Sequence, residues 1–131
     1  MAPLAVTPVY AAFLAFLYLY LAYAVIRLRF REHISLGDGG NAAFLRTIRA
    51  HGNFAEYVPL ALLLMMMAEL AGAGAGILHL IGALLFAGRI AHGWCFLFTA
   101  RNLNARVAGM AMTLIAIGVA GGSLLWIGAG I

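Results

Sequence analysis

Four stretches of this chain stay apolar over about 20 residues, the length that carries an α-helix across a bilayer, and no other feature constrains the fold so strongly. They run over about 9–26, 48–71 (the second helix starting near Phe44 or Ile48), 77–98 and 107–127. The expected fold class is all-α: a four-helix transmembrane bundle in which residues 1–131 form one membrane domain. The connections differ in character. RLRFREHISLGDGGNAAFLR, with Gly37, Asp38, Gly39 and Gly40 as breakers, joins the first two spans, AGAGAG the next two, and TARNLNAR the last two.

Composition explains why lipid is the expected solvent. Hydrophobic residues make up 66% of the chain and charged residues 9%, whereas a soluble domain is roughly one quarter charged. So few charges cannot cover a water-exposed surface. The net charge of +4 comes from arginine alone, for there is no lysine. A nucleic-acid binder would need those arginines on one solvated face, and too little solvated face exists, so no nucleic-acid partner is expected. Cys95 is the only cysteine and can form no internal disulfide. The first apolar stretch lacks a basic leader, exceeds the about 7–15 residues of a secretory h-region and ends in arginines, so it is expected to remain as a span.

Orientation follows from the arginines. Arg27, Arg29, Arg31 and Arg46 lie in or beside the first loop, with Arg49 at the head of the second span, and Arg101 and Arg106 lie in the third loop. The second loop has none. The first and third loops emerge on one side, which the positive-inside rule makes cytoplasmic.

The second span opens with charge. In IRAHGNFAEYVPL, Arg49, Asn53 and Glu56 stand at i, i+4 and i+7 and so share one helical face. A charge at the centre of a span costs about 2.5–3.5 kcal/mol even on lenient scales, so this face should turn away from lipid. Glu56 lies roughly 10 Å inside Arg49 along the axis and needs a partner. In LLFAGRIAHGWCF of the third span, Arg89, His92 and Phe96 share a face at comparable depth. The expectation is one buried network of Glu56 and Arg89, within a chain or across a subunit boundary, with Asn53 and His92 completing its hydrogen bonds. Such a pair serves either to fix helix register or to bind a ligand; with Arg49 and Arg106 nearby, the excess of cations suits an anionic one. No His, Cys and carboxylate spacing resembles a metal site. His51 is offset from the stripe, and the pattern leaves open whether it joins the site or the headgroup region. Gly118 and Gly122 form a GxxxG, a signal of close helix contact.

At these residues the chain resembles a known family. RAHGNFAEYVPL is similar to the signature of the MAPEG proteins, membrane-associated proteins in eicosanoid and glutathione metabolism, and the likeness extends to IRLRF, to AGRIAHGWCF and to the four-span length. The resemblance implies a four-helix membrane protein assembled as a homotrimer that binds glutathione between subunits. It implies delivery of the glutathione thiolate to a lipophilic electrophile or peroxide. Carried over by position, Arg27, Arg49, Asn53, Glu56, Arg89 and His92 would hold glutathione and Arg106 would stabilise the thiolate. Phe96 stands where catalytic members often have tyrosine, and Gly52 replaces a cationic residue of some relatives. The leading expectation is a glutathione-dependent transferase or peroxidase taking a lipophilic small molecule from the membrane lipid. The rival is a non-catalytic scaffold or lipid-binding protein of the same fold. In a bacterium the host bilayer would be the inner membrane.

Overall fold

A computed structural model describes residues 3–99 and 102–130. It consists of four helices: α1 Thr7–Glu32, α2 Ala42–Leu70, α3 Ala75–Phe98 and α4 Leu103–Gly128. All four are long and apolar enough to cross a membrane. Short connections make consecutive helices antiparallel. One end of the bundle therefore gathers the end of α1, the start of α2, the end of α3 and the start of α4. That end holds Arg27, Arg29, Arg31, Arg46, Arg49 and Arg106 and is called the arginine end below. Arg101 lies outside the described residues.

The helices overrun the apolar stretches because backbone hydrogen bonding does not stop at the edge of the hydrocarbon. α1 has 26 residues, roughly 39 Å at 1.5 Å per residue, against a core of about 30 Å. Its last turns carry Arg27, Arg29, Arg31 and Glu32, and Arg31 pairs with Glu32 at 2.7 Å. α2 starts at Ala42 because Asn41 caps it, its Oδ1 accepting from Ala43 N and Phe44 N at 3.0 Å each. Between them the chain reverses through Gly37, Gly39 and Gly40, all at positive φ. Arg29 braces this turn, donating to the Gly37 carbonyl at 3.2 Å and lying 5.1 Å above the Phe44 ring.

The core is built from one stripe of each helix. On α2 it runs Phe44, Thr47, Ala50, Phe54, Val58, Ala61, Met65 and Ala68, spaced by three and four. α4 contributes Gly109, Thr113, Ala116 and Ala120, small residues that admit the close backbone approach on which helix association in lipid depends. Gly88 of α3 and Gly109 of α4 bring the two backbones together: a Cβ on Gly88 would stand 2.8 Å from the Gly109 carbonyl oxygen. The GxxxG at Gly118 and Gly122 does not serve this purpose within the chain, since a Cβ at either meets nothing within 4 Å. Sequence spacing marks small residues without saying which way they face. Met65 is fully buried and Met67 half-exposed, the packing and lipid-facing roles expected of a methionine run.

A carboxylate at the far end closes the fold. Val6 occupies the cap position of α1 and offers no side-chain acceptor. Glu69, at the end of α2, supplies one: Oε1 accepts from Ala5 N and Val6 N and Oε2 from Thr7 N, each at 2.7 Å. The first orphan donors of α1 are thus satisfied from a neighbouring helix.

Candidate functional site

Arg89 is the centre of the polar interior. It is 1% exposed and sits nine residues, roughly 13 Å, before the end of α3. Its Nη1 donates to Asn53 Oδ1 at 2.6 Å, and its Nη2 lies 3.8 Å from Met110 Sδ. One guanidinium therefore joins α3 to α2 and to α4. The close approach at Gly88 and Gly109 brings α4 near enough for the Met110 contact. Nε of Arg89 is buried without a partner. Among the described residues the only ion pair is Arg31–Glu32, so the Arg89 charge has no acid beside it.

The expected contact between Glu56 and Arg89 does not form within the chain. Glu56 is exposed on the outer surface of α2, and Asn53 takes the place expected of it. The reason lies in the helix geometry. The buried stripe of α2 passes through Ala50, Phe54 and Val58. Asn53 borders that stripe and reaches inward, while Arg49 and Glu56 lie further round the helix and are exposed. The shared face of Arg49, Asn53 and Glu56 thus looks mostly out of the chain rather than into its core.

One turn beyond Arg89, His92 is 5% exposed and stacks on Phe96 with ring centroids 4.7 Å apart. The Arg106 guanidinium lies 5.2 Å above the other partner in this column, the Phe96 ring. Phe96 and Arg106 line a cavity of about 240 Å³ at the arginine end, together with Arg46, Cys95, Thr99, Asn102 and Leu103. The described residues at the end of α3 and the start of α4 bond to one another. Cys95 Sγ donates to the Asn102 carbonyl at 2.9 Å, Thr99 Oγ1 donates to the Cys95 carbonyl at 2.9 Å, and Asn102 Oδ1 caps α4 by accepting from Ala105 N at 3.1 Å.

The residues singled out in the sequence thus fall into three groups. Asn53 and Arg89 are brought together, with His92 buried one turn along α3. Arg106 lies exposed at the mouth of the cavity beyond them. Arg27, Arg49 and Glu56 are exposed, and Arg27 lines a separate groove of about 170 Å³ beside Tyr20, Leu97 and Phe98. His51 stacks on Tyr18 of α1 at 5.0 Å.

Arg46, which helical spacing sets near the stripe of Arg49, Asn53 and Glu56, shares the cavity of Arg106. Glu69 was not singled out in the sequence, though a signal was there: α1 opens on Val6, Thr7 and Pro8, without a carboxylate or amide cap, and Glu69 is the acid at the same end of the bundle.

Set beside known proteins, residues 7–126 match the MAPEG family. The chain belongs to that family and is an integral, multi-pass membrane protein. It is similar to the inner membrane protein YecN of Escherichia coli strain K12, 37% identical over 112 residues that cover 86% of this chain and 84% of that protein. YecN of E. coli O6:H1, strain CFT073, matches with the same identity and coverage.

Proposed function

We propose that this protein is a glutathione-dependent transferase or peroxidase of the membrane, acting on a lipophilic electrophile or hydroperoxide. The observation that carries the reading is Arg89, a guanidinium 1% exposed, held by a neutral amide and without an acid beside it among the described residues. A buried cation without a counter-ion is costly, and intramembrane ionisable groups mark functional sites by default. Glutathione, with two carboxylates and one amine, is an anion of matching chemistry. Arginine forks take its carboxylates. Glu56 is the acid available for its amine. Arg106 favours thiolate over thiol, as a neighbouring cation does for cysteine.

Arg27, Arg49 and Glu56 enter this reading through assembly. Exposed on spanning helices of a single chain, each charge within the hydrocarbon would cost about 2.5–3.5 kcal/mol. Further copies, in a homotrimer, would cover them and complete the pocket between subunits. The arginine end would face the cytoplasm by the positive-inside rule, in the inner membrane of a bacterial cell, as the name of the YecN relative suggests.

A second reading, a non-catalytic scaffold or lipid-binding protein of the same fold, is favoured by Phe96. Its ring supports Arg106 but has no hydroxyl to offer a sulfur atom. Glutathione added to the purified protein separates the two. Binding with ultraviolet thiolate absorbance, followed by turnover in a panel of conjugation and hydroperoxide assays, supports the enzyme. Neither binding nor thiolate supports the scaffold.

A further inference from the structure

We infer that the cavity enclosed by α2, α3 and α4 at the arginine end binds a phosphate oxyanion, carried to it by an anionic phospholipid headgroup. Of the described residues lining its 240 Å³, Arg46 and Arg106 carry charge and none is acidic. The Cys95 thiol and the Thr99 hydroxyl on its wall are engaged with the protein, the first with the Asn102 carbonyl and the second with the Cys95 carbonyl. Among the described residues neither the Arg46 nor the Arg106 guanidinium takes part in an ion pair or a side-chain hydrogen bond. Arg106 is nevertheless held in place, its guanidinium 5.2 Å above Phe96, whose ring rests on the buried His92. α4 begins at Leu103, so the positive end of its dipole adds to the two side chains.

Two guanidinium forks from different helices suit a tetrahedral anion with several oxygens better than a planar one with two. The position names the source. The cavity lies where α3 ends and α4 begins, at the level of headgroups, where the abundant anion is a phosphodiester. Leu103 on its rim continues along α4 to Val107 and Leu114, which are 59%, 58% and 51% exposed and share a helical face. That ridge gives an acyl chain a track leading away from a headgroup seated on the arginines. Basic pockets between spanning helices take anionic headgroups on these terms. Arg46 has no part in the glutathione reading, so the inference stands on its own observation, and the two readings share only Arg106.

The test is native mass spectrometry of the purified full-length protein, without glutathione. It is released from detergent in the presence of phosphatidylglycerol, of zwitterionic phosphatidylethanolamine, or of inorganic phosphate alone. Wild type should retain phosphatidylglycerol over phosphatidylethanolamine. Arg46→Gln should reduce that preference roughly fivefold, the strength of one basic side chain at an anionic lipid surface, and Arg46→Gln with Arg106→Gln should abolish it. Arg31→Gln removes the same charge outside the cavity and should leave the preference intact. Retention of inorganic phosphate with the same arginine dependence supports the oxyanion site and assigns it a soluble source. Equal retention of both lipids with no phosphate bound overturns the inference. So does a preference that survives Arg46→Gln, or one that Arg31→Gln lowers equally. If the double variant does not fold, Arg46→Gln alone decides, for Arg46 is only half-buried.

Discussion

Nη1 of Arg89 lies 2.6 Å from Oδ1 of Asn53, and that contact joins α3 to α2 inside the bundle. It satisfies one donor of a buried guanidinium without neutralising its charge. The site is therefore built with an excess of positive charge, which is the physical reason to look for an anion there.

Removing the oxygen should destabilise the bundle. Asn53→Ala leaves Nη1 of Arg89 unsatisfied and should cost about 1.5–3 kcal/mol, the range for a hydrogen bond to a charged group. Asn53→Asp places a carboxylate beside the same guanidinium and should fold at least as well, while weakening glutathione binding by filling the demand for an anion. Thermal unfolding in detergent reads the first effect and glutathione titration the second.

The Glu69 cap predicts an effect confined to the other end. Glu69→Ala deprives Ala5, Val6 and Thr7 of their shared acceptor and should cost about 0.5–2 kcal/mol, as loss of a helix cap does. Hydrogen exchange should accelerate at Val6 and Thr7. Glutathione binding should not change, because Arg89 and Arg106 belong to the opposite half of the bundle.

The glycines divide sharply. Gly88→Ala sets a methyl 2.8 Å from the Gly109 carbonyl oxygen, a backbone atom that must move, and overpacking of this kind costs about 1–3 kcal/mol. Gly118→Ala and Gly122→Ala meet open space and should change the stability of the single chain by less than about 0.5 kcal/mol. Comparing the three by thermal unfolding checks the close contact of α3 with α4.

Phe96→Tyr adds a hydroxyl to the ring that underlies Arg106. If the chain turns over glutathione, this variant should raise the rate of conjugation, and Arg106→Ala should lower it by roughly 10²-fold, the scale of one lost anion-stabilising donor. Steady-state kinetics with a lipophilic electrophile checks both.

The four spans and the family were legible in the sequence because both rest on local patterns: apolar length for the first, RAHGNFAEYVPL for the second. Helix ends were less so, since Arg27 to Glu32 continue α1 although the unbroken apolar run stops at Ile26. The pairing within the site was only half legible. Helical spacing put Arg49, Asn53 and Glu56 on one face correctly but could not say which edge of that face meets the core. Asn53 turned inward and Glu56 did not. The Gly118 and Gly122 motif makes no close contact within the chain, since its direction depends on how α4 packs. Glu69 escaped notice because its partners are backbone amides more than sixty residues away.

Glutathione titrated into the purified wild-type protein, followed by calorimetry and by thiolate absorbance, is the most direct test. Binding should be saturable, with a thiolate signal at neutral pH, and both should be lost when Arg49, Asn53 and Arg106 are replaced together in a variant that still folds. A wild-type protein that stays folded and takes up no glutathione would contradict the proposed function.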